Sequence, residues 1–180
     1  MKEITISHTD YPVGDKTKKD AILCDVDGTV ALMMGNRSPF EYEKAYGDKP
    51  NYPVINVVLA LRDLWGCDLI FLSARENVVF NSDNDDNKAS RSYKSNRFTS
   101  SFDLTEQWLD LHVGEENYDK LILRDKGDYR KDCYVKYDIY NNHIKDKWNI
   151  ISVFDDRNQV VDMWRNGLRL QCFQVADGNF

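Results

Sequence analysis

Two aspartates one residue apart, Asp25 and Asp27, follow a short apolar run at 21–24 and precede Gly28 and Thr29. If the chain leaves strand geometry after the first carboxylate, both can face one site, and Gly28 permits that bend. One carboxylate can then attack phosphorus while the other protonates the departing oxygen. A polar turn with an aspartate cap has the same letters, but the position after a buried strand argues for chemistry. Ser73, Ala74 and Arg75 follow a second apolar run at 69–72. A hydroxyl, free backbone N–H groups and a guanidinium at a helix start suit phosphate oxygens, and an ordinary helix cap is the alternative. Asp155 and Asp156 end a further apolar run at 150–154. Adjacent carboxylates repel unless a cation is present, and magnesium takes oxygen ligands while keeping several waters; a solvated turn is the plainer reading. Asp132 and Lys136 are four apart and so share a face of any helix that carries them. A lysine held in this way can neutralise an aspartate nucleophile and a phosphate, although surface ion pairs of this spacing are common.

These residues need a frame that brings them together. The continuous apolar runs at 21–24, 69–72, 121–123 and 150–154 predict strands buried on both faces, with a last strand at 170–175. Apolar residues Val54, Val57, Val58, Leu61, Leu64 and Trp65 have helical spacing, and Gly66 follows as a stop. Asp103 and Glu106 predict the start of a second helix; further helices are expected over 129–145 and 159–165. Residues 30–53 read as an insert with one short helix near 41–46. Residues 81–101, rich in Asn, Asp and Ser, read as a mobile loop or lid. Strands alternating with helices predict right-handed βαβ units: an α/β, Rossmann-like, three-layer α/β/α fold around a mostly parallel sheet. Ligands in such sheets sit outside the carboxyl ends of the strands, where Asp25, Ser73 and Asp155 all fall.

The bulk numbers narrow the class. With 180 residues, 42% hydrophobic and 30% charged, the chain is long enough for one globular domain and too apolar for a disordered one. A net charge of −6 argues against a surface built for tight, non-specific nucleic-acid binding, but not against an enzyme that touches a strand end. No apolar run approaches the roughly 18 residues of a spanning helix. No leader-like apolar segment occupies the first 20 residues, which read as an N-terminal extension with a possible edge strand at 4–6. The four cysteines form no C-x-x-C pair, which predicts buried reduced thiols and a cytoplasmic location. His8, His112 and His143 show no metal spacing, and Trp65, Trp148 and Trp164 read as packing residues.

The order nucleophile loop, Ser73, Lys136, paired Asp155-Asp156 resembles the haloacid dehalogenase-like phosphohydrolase superfamily. Asp25-Val26-Asp27-Gly28-Thr29, Asn36-Arg37-Ser38-Pro39-Phe40, Ser73-Ala74-Arg75-Glu76, 127–132 with Val135-Lys136, 155–165 and 174–180 are similar to the 3′-phosphatase domain of phage polynucleotide kinase. The resemblance runs from about residue 21 onward and implies a phosphatase domain over 21–180 with a small cap or none. No G-x-x-x-x-G-K-[ST] occurs, so no NTP-binding P-loop and no kinase half is expected. Where the family reads Ser-Gly-Arg, this chain has Ser-Ala-Arg, and a methyl group at Ala74 would narrow the site.

The resemblance implies roles. Asp25 would be the nucleophile that forms an aspartyl-phosphate, and Asp27 the general acid and then base. Mg2+ would be held by Asp25, the Asp27 carbonyl, Asp155 and Asp156. Thr29 would steady the nucleophile loop, Ser73 and Lys136 would hold the phosphoryl oxygens, and Asp132 would orient Lys136. Arg37 and Arg75 would engage phosphate or strand at the mouth. The implied substrate is a 3′-phosphorylated DNA or RNA end, with 2′,3′-cyclic phosphate a further possibility and a phage or prokaryotic source expected. A phosphatase of free nucleotides or other small monoesters is the competing reading; a non-catalytic module and an aspartyl-phosphate transferase are weaker ones. The stretch 88–98 is locally basic with two aromatics, and reads either as a strand-tracking segment that stacks a base or as a solvated loop.

Overall fold

The computed structural model of the chain describes residues 14–81 and 94–179. In chain order the elements are β1 (Lys19–Asp25), β2 (Ala31–Leu32), β3 (Lys49–Pro50), α1 (Tyr52–Trp65), β4 (Asp68–Glu76), α2 (Ser101–His112), β5 (Lys120–Arg124), α3 (Asp132–Ile139), β6 (Trp148–Arg157), α4 (Asn158–Asp162) and β7 (Cys172–Gly178). Five strands form one sheet in the order β5-β4-β1-β6-β7, and every pairing is parallel. β2 and β3 make a small antiparallel ladder outside it.

The continuous apolar runs follow from burial on both faces. Ile22, Cys24, Leu69 and Phe71 pack on one face with Ile55 and Val58 of α1 and Trp108 and Leu109 of α2. Ala21, Leu23, Ile70 and Leu72 face the other way, toward Val135 and Ile139 of α3, Val160 and Val161 of α4, and Trp164. Successive strand residues thus serve opposite layers, each buried Ile or Leu contributing about 2 kcal/mol of hydrophobic stabilisation. A third cluster, Tyr42, Ala45, Val78, Phe80, Phe98 and Leu104, joins the 42–47 turn to the segments flanking β4 and α2. There Phe80 N–H donates to Thr99 O at 2.8 Å and Ser101 N–H to Val78 O at 2.9 Å, so the described ends of the 81–101 segment form a paired stem.

Several boundaries differ from expectation. α1 packs Val54, Val58, Leu61 and Trp65 on the core as expected, adds Ile55, and leaves Val57 and Leu64 exposed; Gly66 closes it in the left-handed region at φ 59°. α2 starts two residues early because the Ser100 side chain accepts from Asp103 N–H. α3 starts at Asp132 because Gly127, at φ 82°, turns the chain. β7 continues to Gly178, which pairs with Arg157; a Cβ there would lie 2.3 Å from Asp156 O. Phe98 is buried in the third cluster, and Arg97 lies 4.0 Å over the Tyr46 ring, so neither is presented as an open base platform. The expected edge strand at 4–6, His8 and the basic stretch before residue 94 lie outside the described residues.

Candidate active site

The carboxyl ends of β1, β4 and β6 carry the reactive groups, and β1 lies between the other two. After Asp25 the chain coils tightly: Val30 and Ala31 N–H both donate to Val26 O, and Gly28 N–H returns to Ala31 O at 2.9 Å. Gly28 sits at φ 88°, and a Cβ there would stand 2.1 Å from Asp156 Oδ2, so only glycine lets β1's loop approach the β6 carboxylates. Asn51 Nδ2 fixes the loop by donating to Thr29 O at 2.9 Å.

Asp25 is buried, and its two oxygens have different partners. Oδ2 accepts from Thr29 Oγ1 at 3.1 Å, and Oδ1 from Lys136 Nζ at 2.5 Å. Lys136, reaching in from α3, also donates to Asp155 Oδ2 at 2.7 Å. Asp155 Oδ2 further accepts from Trp164 Nε1 at 3.3 Å, and its Oδ1 from Arg157 N–H at 3.2 Å. One oxygen from each of Asp25, Asp155 and Asp156 falls within 4.8 Å of the others. Burial pushes the Asp25 carboxyl well above its usual range, Lys136 pulls it back, and Asp155 and Asp156 push it further. Burial and then Asp155 raise Asp156 to about 6. Burial opposes the Lys136 ammonium, but Asp155 and Asp25 outweigh it and keep it charged. Three buried carboxylates share one lysine, an excess of negative charge that a divalent cation would cancel. An all-oxygen donor set fits magnesium.

Asp27 lies in a second network. Its Oδ1 accepts from Arg37 Nη2 at 2.8 Å and Arg75 Nη2 at 2.7 Å; its Oδ2 accepts from Ser73 Oγ at 3.1 Å and Arg75 Nε at 3.3 Å. Burial alone would raise its carboxyl, but Arg75 first, then Arg37 and Ser73, hold it at about 2. Arg37 and Arg75, expected at the mouth, are instead 8% and 4% exposed, because buried carboxylates satisfy them. Asp48, not singled out in the sequence, accepts from Arg37 Nε at 2.9 Å and Nη2 at 2.6 Å; Arg75 also reaches Thr105 Oγ1 at 2.7 Å. Ala74 is half-exposed at the register shift between β4 and β5.

Asp132 does not meet the expectation that it orients Lys136. Its Oδ1 accepts from Arg124 Nη2 and its Oδ2 from Arg157 Nη1, while Lys136, one turn on, is taken up by Asp25 and Asp155. This Arg124–Asp132–Arg157 bridge spans the ends of β5 and β6, and neither arginine was foreseen. A cavity of about 330 Å³ between β5 and α3 is lined by Asn77, Asp128, Asn142 and others, and by none of Asp25, Asp27, Asp155 and Asp156.

The family model for the polynucleotide kinase PNKP phosphatase domain matches residues 19–180. The chain belongs to this family. It is a phosphatase of the haloacid dehalogenase type, with the parallel five-stranded sheet of that fold. A protein of Autographa californica nuclear polyhedrosis virus, named as a bifunctional polynucleotide kinase/RNA ligase, is 32% identical over 168 residues, covering 92% of this chain and 21% of the viral protein. A chain of the Pnkp1/Rnl/Hen1 complex superposes with a TM-score of 0.74 at 35% identity, covering all of this chain and 53% of that one. A chain of the Pnkp1/Rnl/Hen1 RNA repair complex gives the same score and identity over 98% of this chain and 48% of its own length. This phosphatase domain thus spans about half of the matched structural chains and about a fifth of the viral relative. No described helix is long and apolar enough to cross a membrane.

Proposed function

We propose that this chain is a Mg2+-dependent polynucleotide 3′-phosphatase that works through an aspartyl-phosphate on Asp25 and leaves a 3′-hydroxyl end for repair. The observation that carries the reading is the approach of Asp25 to Lys136 and to the Asp155-Asp156 pair. Asp25 Oδ attacks phosphorus, and the bond to the 3′ oxygen breaks as that oxygen takes a proton from Asp27. Water then attacks the aspartyl-phosphate, gives its proton to Asp27, and inorganic phosphate departs from Asp25. Lys136 and Ser73 hold the transferring phosphoryl oxygens, and Thr29 keeps Asp25 aimed by the bond to its other oxygen. Mg2+ would be held by Asp25, the Asp27 carbonyl, Asp155 and Asp156, and would supply charge neutralisation at the phosphoryl group. In the free protein Asp27 is ionised, which suits it to receive the water's proton; to act as acid it needs the substrate phosphate to draw Arg75 and Arg37 away.

The family match supports a nucleic-acid end as substrate, and so does the rim. Arg124 and Arg157 flank the single carboxylate of Asp132, and this surplus of positive charge suits a strand phosphate. The four free cysteines fit the reducing cytoplasm. The test is phosphate release from 3′- and 5′-phosphorylated oligonucleotides with Mg2+, with Asp25→Asn as control. Release from the 3′ end alone, lost in Asp25→Asn, is expected. Turnover of free nucleotides with no release from either strand would replace this reading with a small-molecule phosphatase.

A further inference from the structure

The loop between β5 and α3 is basic, fixed in place, and tipped with an exposed aromatic ring. Its sequence from 124 to 131 carries Arg124, Lys126, Arg130 and Lys131 around Tyr129, against the two carboxylates of Asp125 and Asp128. Four contacts pin it. Gly127 N–H donates to Glu76 Oε1 at 2.7 Å, and Arg124 Nη1 donates to Asp128 O at 3.2 Å. The Asp128 carboxylate accepts from Arg130 N–H at 3.1 Å and Nη2 at 2.7 Å, and Arg130 Nη1 reaches Asp138 on α3 at 2.8 Å. Tyr129, held between these anchors, is 71% exposed, more than any other large hydrophobic residue among the described residues. A ring displayed in water on a fixed loop gains nothing for the fold, and a fixed ring loses little freedom on binding a flat partner. Arg124, whose Nη1 holds the loop, is tied through Asp132 to Arg157, which directly follows the Asp155-Asp156 pair. Cations that track a phosphate backbone beside an aromatic face are the chemistry that grips single-stranded nucleic acid without reading sequence.

We propose that Tyr129 stacks a nucleobase at or next to the 3′ end of the strand, making it a binding residue that separates polynucleotide from base-free phosphate monoesters. The inference rests on the polynucleotide reading above. Tyr129 touches neither Asp25 nor Lys136, so its loss changes strand binding and leaves the chemical step alone. The loop's anchors use main-chain groups and neighbouring side chains rather than the Tyr129 ring, so Tyr129→Ala keeps the loop.

The experiment compares wild type, Tyr129→Ala, Tyr129→Phe and Tyr129→Trp on a 3′-phosphorylated oligonucleotide, a 3′-mononucleotide and p-nitrophenyl phosphate, with Mg2+ throughout. For Tyr129→Ala on the oligonucleotide, KM should rise by about tenfold or more with kcat little changed, since one stacked base is worth that much. Phe and Trp should restore KM, because a ring suffices and the hydroxyl does not matter. With p-nitrophenyl phosphate all four proteins should agree within twofold. A rise with the mononucleotide as well would place the stacked base at the terminal nucleoside, and no rise there would place it one step inward. An unchanged oligonucleotide KM in Tyr129→Ala, with wild type active on that strand, overturns the role of Tyr129. A wild type inactive on the strand overturns the polynucleotide reading itself, so the two failures are told apart.

Discussion

Gly28→Ala tests whether the close approach of the β1 loop to β6 governs catalysis. A Cβ at this position would meet Asp156 Oδ2 at 2.1 Å and Cγ at 2.6 Å, where ordinary contact begins at 3.4 Å. The difference between 3.4 and 2.1 Å means that the carboxylate must retreat by about 1.3 Å, or the loop must lift by as much. Adding a side chain at φ 88° costs about 1 kcal/mol, and the crowding adds about 1–3 kcal/mol. The sum, about 2–4 kcal/mol, is within the stability of an ordinary domain, so the variant folds. A displacement of about 1 Å among reacting groups costs about 100-fold in rate. Urea unfolding should therefore show the loss of stability. Phosphate release should show kcat down about 100-fold or more, with half-saturation by Mg2+ moved to higher concentration. A folded Gly28→Ala protein with wild-type kcat and wild-type Mg2+ dependence would refute the placement of Asp156 at the cation.

Three further outcomes follow from the same geometry. Lys136→Met removes the ammonium between Asp25 and Asp155; breaking such a buried pair should cost about 3–5 kcal/mol in denaturant unfolding, abolish turnover, and make thermal stabilisation by Mg2+ larger than in wild type. Asp48→Asn replaces one of the two Asp48 oxygens that hold Arg37 with an amide nitrogen, and should lower activity by about 100-fold through misplacement of Arg37 and Asp27, while Mg2+-dependent stabilisation persists. The Asp103 carboxyl is held below its usual range by the Thr99 N–H and then by Gln107. A depressed native value means that its contribution is present above the unfolded carboxylate range and disappears as pH falls through the native one. The stability gap between wild type and Asp103→Asn should accordingly be open at pH 6 and close on acidification below pH 4, as read by chemical unfolding.

The sheet was legible because burial on both faces writes an unmistakable run such as Ile22-Leu23-Cys24 into the sequence, and the residue that ends each run marks the rim. Asp25, Ser73 and Asp155 were found from that position together with their motif neighbours. Asp48 was not, since a lone aspartate among Gly47 and Pro50 has no periodicity, and its partner Arg37 lies 11 residues away across a turn. The i,i+4 spacing of Asp132 and Lys136 was correct as geometry and misleading as chemistry. A shared helix face does not say which of two nearby carboxylates a lysine prefers, and the deeper pair won. Mouth positions for Arg37 and Arg75 were implied by the resemblance; only tertiary structure reveals the carboxylates that draw them inside. The face of α1 was legible at Val54, Val58, Leu61 and Trp65, but not at Val57 and Leu64, which are exposed although as apolar as the residues that are buried.

The position of β1 in the middle of the sheet has a kinetic consequence. The bond from Lys136 to Asp25 closes a loop of 111 residues, and that from Arg75 to Asp27 a loop of 48. Closing loops of that size is slow compared with forming α1 or α2, whose contacts are local. Until β4 and β6 have both docked on β1, its carboxylates stay in water and their repulsion is screened. Refolding from denaturant should then recover helical circular dichroism before it recovers phosphate release, because the active site is among the last parts of the molecule to exist.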